Sequence, residues 1–178
     1  TGFAGITRRF DLWKPVIAAV NGLCLGGGVE IVAACDLAVA SEDAMFALPE
    51  PRVGLAALGG GALQRLVRQI GMKDAMWLVL SGERIGAGEA RRIGLINEVA
   101  PRGRALARAR EMAEVILRCA PLAVEASKQV MVQSLAEADL DRALGATYPA
   151  AARMLASADA REGPHAFAEK REPVWTGR

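Results

Sequence analysis

Three consecutive glycines, Gly26, Gly27 and Gly28, stand between a β-branched run and an apolar stretch that carries one acid, Glu30. Upstream, Val16-Ile17-Ala18-Ala19-Val20 closes on Asn21-Gly22, the pattern of a strand that ends in a turn. A glycine-opened helix through Val29 to Cys35 is the natural continuation, and Asp36 to Ala40 reads as the next strand. Strand, helix and strand of this size point to a right-handed crossover between parallel strands.

Glycines at a helix start let a ligand oxygen approach N–H groups that have no partner within the helix, and the positive end of the helix dipole favours a developing anion there. The Gly27 amide is thus a candidate for half of an oxyanion hole. Glu30 follows three residues later, which places its side chain on the same helix face and aims donor and carboxylate into one cavity. A plainer alternative is that the glycines only permit close packing and that Glu30 compensates the dipole. Glu50, between Pro49 and Pro51, would by itself be an ordinary exposed loop acid.

Further along, Phe46-Ala47-Leu48 reads as an extended segment stopped at Pro49, followed by a loop from Glu50 to Gly59-Gly60-Gly61. Helical periodicity resumes from Ala62 to Ile70, then from Met72 to Leu80 with a Ser81-Gly82 cap, then from Ala87 to Ile93 up to Gly94. Leu95 to Val99 reads as the last strand before Pro101. Beyond it, one amphipathic helix carries Leu106, Ala109, Ala113, Ile116 and Leu117, and a second starts at Pro121. A third is expected over about 136–156, kinked at Pro149. The chain therefore divides into an α/β portion, 1–101, and a helical portion, 102–178, without repeats or a low-complexity linker.

Composition closes off several functions. Twenty-two basic and twenty acidic residues leave a net charge of +2, so no global field recruits nucleic acid or an anionic membrane. Arg102, Arg104, Arg108, Arg110 and Arg118 lack interleaved aromatics and read as a solvated face, with Glu114 four residues from both Arg110 and Arg118. The longest uncharged apolar stretch, within 53–63, is too short to cross a bilayer, and no basic-then-apolar leader opens the sequence, so a cytoplasmic location is expected. Cys24, Cys35 and Cys119 read as small buried hydrophobes of a reducing compartment, and one histidine, His165, cannot build a metal site with them. The segment Thr1 to Arg9 reads as the middle of a domain, so material upstream is expected.

Taken together, Lys14-Pro15 with Val16 to Gly22, Leu25-Gly26-Gly27-Gly28-Val29-Glu30, Cys35-Asp36, Phe46-Ala47-Leu48-Pro49-Glu50, Gln64-Arg65-Leu66 and Gly94 to Val99 resemble the crotonase (enoyl-CoA hydratase/isomerase) family. Phe167-Ala168-Glu169-Lys170-Arg171 is similar to that family's closing helix. The resemblance implies an α/β fold with a ββα spiral core and a C-terminal helical region that joins subunits as a homotrimer or a dimer of trimers. It implies an acyl-CoA substrate and no separate cofactor, since CoA is part of the substrate. Gly27 matches one of two backbone amides that bind the thioester oxygen; the other would lie upstream of Thr1.

Members that hydrate their substrates keep both acids, at the positions of Glu30 and Glu50. By that resemblance Glu30 is mainly the base towards water and Glu50 supplies the α-proton, although the reverse assignment or a concerted sharing stays open. Members that only shift the double bond generally lack the acid matched by Glu30, so hydration is favoured over isomerisation. The stretch Gly54 to Gly61 departs from the family's commoner wording and resembles that of bacterial carnitinyl-CoA (crotonobetainyl-CoA) hydratases. Phe167 and Lys170 match residues that reach the adenine and phosphates of a CoA held by a neighbouring subunit, as an aromatic face and an ammonium can. An RNA-binding module and a catalytically silent subunit are the remaining alternatives.

Overall fold

A computed structural model describes residues 1–178, which form two compact units: 1–10 with 16–112, and 11–15 with 113–178. In the first unit, β1 (Ile17–Val20), β3 (Leu37–Ser41) and β6 (Glu98–Ala100) make a parallel sheet in the order β1-β3-β6. The central strand β3 is buried from Ala38 to Ser41, as expected of a strand covered on both faces, and its sequence is accordingly apolar without alternation. A second sheet pairs β2 (Leu23–Leu25) in parallel with β4 (Met45–Ala47), and β4 in antiparallel with β5 (Ile85–Gly86).

The helix α1 (Gly27–Ala34) leaves the end of β2 and buries Val29, Val32 and Ala33. These side chains join Phe46, Leu48, Leu66 and Leu78 in the main core, to which α2 (Ala62–Gln69), α3 (Met72–Ser81) and α4 (Ala87–Arg92) contribute. Parallel β1 and β3 bracket α1, as the strand, helix and strand pattern anticipates.

In this unit three details depart from the sequence reading. The expected direct step from the Asn21-Gly22 turn to the glycine helix is interrupted by β2, too short for a periodic signal and placed in a different sheet from β1. Strand β6 begins at Glu98 and not at Leu95. The Leu95 N–H instead donates to Ala90 O at 2.9 Å at the end of α4, and Asn97 exchanges hydrogen bonds with Ala38 through its own N–H and its side-chain oxygen, both at 2.8 Å. Leu95 and Ile96 are buried, but as a helix cap and not as strand residues. Glu50 begins a short 3-10 turn (Glu50–Val53), where a featureless loop was expected.

α5 (Ala105–Leu117) follows β6. Here Arg108 pairs with Glu98 and Glu111, and Arg102 with Asp43, so two of the five arginines are held by acids other than Glu114.

In the second unit, α6 (Pro121–Ser134) starts with Pro121 in its first turn, as expected. The single kinked helix expected over 136–156 is instead two helices, α7 (Leu140–Gly145) and α8 (Pro149–Leu155). Asp139 caps α7 by accepting from the Asp141 and Arg142 amides, and Pro149 opens α8 where its missing N–H costs nothing. The buried Gln129 accepts from the Ala150 N–H at 2.7 Å, satisfying one of the free amides at the α8 start. Cys24 is buried, and burial pushes its thiol up to about 12; Cys119 is exposed, contrary to the reading of all three cysteines as buried. No helix is long and apolar enough to cross a membrane.

The last helix, α9 (Asp159–Glu169), holds the chain end by its acids. Asp159 accepts from the Thr176 N–H and hydroxyl and the Gly177 N–H, at 2.8 to 2.9 Å, and Glu162 from Arg171 and the Val174 N–H. The Arg171 hydrogen bond, then the Val174 amide, lowers the Glu162 carboxyl to about 2, and the Thr176 amide leads the bonds that lower Asp159. A carboxyl depressed in the folded state stabilises fully above its unfolded value of about 4, and that contribution is lost as pH falls through the folded value. Hydrogen exchange at Thr176 and Gly177 should therefore accelerate relative to the α9 amides as pH drops from about 4 towards 2; unchanged relative protection would contradict this role for the two acids.

Candidate active site

The site is assembled around the first turn of α1. Gly26 caps the helix with φ of 51°, a left-handed value that glycine adopts without strain, and its N–H donates to Ala47 O at 2.9 Å, tying the turn to the end of β4. The first hydrogen bond of the turn runs from Glu30 N–H to Gly26 O at 3.2 Å. The amides of Gly27, Gly28 and Val29 precede it and so carry no helical partner.

Glu30 is 4% exposed, unusual for a carboxylate, and its Oε1 accepts from the Gly60 N–H at 2.7 Å. Gly60 has to be glycine because a Cβ there would stand 2.6 Å from Glu30 Cβ and 2.9 Å from Oε2. The loop thus closes over the acid with no space between them.

Glu50 reaches the cap of the same turn. A Cβ on Gly26 would lie 2.7 Å from Glu50 Oε1, so this carboxylate occupies the space that the missing side chain leaves. Glu50 Oε2 is buried without a protein hydrogen-bond partner, a costly state for a carboxylate oxygen that a bound water or substrate would relieve. The acid between two prolines is therefore half-buried and directed inward, and is no ordinary exposed loop residue.

Phe3 belongs to the short 3-10 turn Phe3–Gly5, and the edge of its ring takes the place of a side chain on Gly27, where a Cβ would meet Cζ at 2.6 Å. The sequence alone gives Phe3 and Gly60 no functional task. The glycine cluster at 59–61 was visible as a loop end, but only the fold brings it against Glu30. Glu30, Glu50 and Gly27 are thus brought to one helix turn. Phe167 and Lys170 lie in the second unit, on α9: Phe167 is 88% exposed, and Lys170 ends the helix in a left-handed conformation with φ of 54°. His165 is exposed on the same helix, among Asp159, Glu162 and Arg171.

The enoyl-CoA hydratase/isomerase family matches residues 2–178. The carnitinyl-CoA dehydratase of Salmonella heidelberg (strain SL476) is 42% identical over 184 residues, an alignment that covers 99% of this chain and 69% of that protein. Among solved structures, enoyl-CoA hydratase from Mycobacterium tuberculosis H37Rv superposes with a TM-score of 0.91 at 42% identity, covering 98% of this chain and 68% of that one. Enoyl-CoA hydratase from Mycobacterium marinum superposes with a TM-score of 0.90 at 42% identity over the same shares. With a profile match over nearly its whole length and relatives of this identity, the chain belongs to the enoyl-CoA hydratase/isomerase family, and its fold is the crotonase fold.

Proposed function

We propose that the protein adds water across the 2,3 double bond of an enoyl-CoA thioester, using Glu30 and Glu50 as an acid/base pair beside the Gly27 amide. The observation that carries this reading is the convergence of two carboxylates on one glycine-opened helix turn, Glu30 within it and Glu50 against its cap. Water attacks C3 and gives a proton to Glu30, while the electrons of the double bond pass through C2 to the thioester oxygen. The Gly27 N–H donates to that oxygen where negative charge develops. Glu50 then delivers a proton to C2 from the same side, the thioester carbonyl re-forms, and exchange of a proton with solvent restores both acids.

The relatives support a second, narrower reading of the acyl group. Identity to carnitinyl-CoA dehydratase extends over nearly the whole chain, and the Gly54 to Gly61 stretch resembles bacterial members of that kind. A trimethylammonium-bearing acyl chain is therefore the first candidate substrate, in either direction of the reaction. Both readings are tested by incubating the protein with short, long, aromatic and trimethylammonium-bearing enoyl-CoA thioesters and detecting 3-hydroxyacyl-CoA. Hydration of any member supports the general reaction, and preference for crotonobetainyl-CoA supports the narrower one. A product with a shifted double bond and no 3-hydroxy compound would replace hydration by isomerisation.

Phe167 and Lys170 fit a role in holding the nucleotide end of CoA bound by a neighbouring copy, with the ring against adenine and the ammonium against phosphate. Both are exposed on α9, as that role requires. The Phe167→Ala and Lys170→Ala changes together should raise KM for the CoA thioester about tenfold with kcat within about twofold. A fall in kcat at constant KM would remove these residues from substrate binding.

A further inference from the structure

Gln64-Arg65-Leu66 contributes to the family resemblance, but the mechanism above gives Arg65 no task. Arg65 is half-buried in the first turn of α2, where its own N–H bonds to Gly61 O at 3.2 Å. Its guanidinium bridges two backbone carbonyls: Nη1 donates to Gly60 O at 2.7 Å and Nη2 to Thr7 O at 2.5 Å. Gly60 is also the residue whose N–H holds Glu30 Oε1 at 2.7 Å. One glycine therefore lies between the guanidinium and the buried acid, with its carbonyl held on one side and its amide spent on the other.

The geometry points to Arg65 as a positioning residue: it locks Gly60 between the Thr7 segment and α2 so that the Gly60 N–H fixes the Glu30 carboxylate for catalysis. This rests on the hydration reading for its kinetic consequences, though not for the contact itself. A planar fork is needed because two carbonyls from different segments are held at once; a lysine keeps the charge but offers no rigid pair of donors. Electrostatics agrees with the placement, since burial lowers the guanidinium pKa while the Glu30 charge works the other way. Gly60 has no side chain of its own to fix its orientation, and the loop from Gly54 to Gly61 contains no helix or strand, so an outside anchor is required.

The test compares Arg65→Gln and Arg65→Lys with wild type, and Arg65→Gln with and without Glu30→Gln, after thermal melts establish that each variant folds. Arg65→Gln should lower kcat about 10-fold to 100-fold with KM within about threefold, as expected when a catalytic group is misplaced by a fraction of an ångström. Arg65→Lys should recover at most a minor part of that loss. In the Glu30→Gln background Arg65→Gln should cost nothing more, because its effect passes through Glu30. An equal loss in both backgrounds, or wild-type kcat in Arg65→Gln, overturns the proposal. A second readout is independent of activity: hydrogen exchange at the Gly60 amide should speed at least about tenfold in Arg65→Gln, and unchanged exchange overturns the proposal even if the protein hydrates nothing. Absence of wild-type turnover on every thioester strikes the hydration reading alone.

Discussion

Replacing Glu30 by glutamine should lower hydration turnover by about 10³-fold to 10⁴-fold, the upper part of the range for removal of a general base. The fold should survive, because the glutamine side chain has the same shape and its amide oxygen can accept the Gly60 N–H that Oε1 accepts now. Melting temperature and substrate KM should therefore change little while kcat collapses. Alanine is a poorer probe at this position: it would leave the Gly60 N–H without its acceptor and open a hole in a buried turn, confounding stability with chemistry. Unchanged turnover in Glu30→Gln would remove this acid from the reaction.

Replacing Gly60 by alanine should have nearly as large an effect for a purely steric reason. The added methyl would stand 2.6 Å from Glu30 Cβ and 2.9 Å from its Cδ, and Cβ is the root of a side chain on a buried helix turn that cannot rotate away. Either the loop or α1 must shift. We expect a loss of about 1–3 kcal/mol in stability, as for other overpacked sites, and at least a 100-fold loss of kcat/KM, since the acid would be displaced by a good part of an ångström. Neither glycine at 59 nor at 60 has a left-handed φ, so backbone strain is not in question. Gly59→Ala is then the matched control: its methyl would lie 3.5 Å from Glu30 Oε2, an ordinary contact, and both activity and melting temperature should stay near wild type. Equal effects at the two positions would refute the steric account.

These outcomes reflect how the sequence encodes the site. Helices with a clear apolar period and glycine or proline boundaries, such as α3 ending at Gly82 and α6 opening at Pro121, were legible because propensity and packing agree there. Strand β2 was not, because three residues carry no period and their place in a second sheet is a long-range fact. The division at 146–148 reads as a kink in the sequence because Pro149 fits either a bend or a helix start; what separates two helices is the extended backbone at Ala146 and Tyr148 and the long-range Gln129 bond to the Ala150 N–H. The pair Glu30 and Glu50 was legible through the family pattern and not through local physics, which leaves each acid with an unremarkable reading. What holds them was illegible: the Gly60 amide is thirty residues from Glu30, and the Arg65 bond to Thr7 spans fifty-eight.

The most direct test is the crystal structure of the protein bound to an acyl-CoA thioester. A single water should lie within hydrogen-bond reach of both the Glu30 and Glu50 carboxylates, with the thioester oxygen about 3 Å from the Gly27 nitrogen. Carboxylates too far apart to share that water, or a thioester oxygen turned away from Gly27, would contradict hydration by this pair.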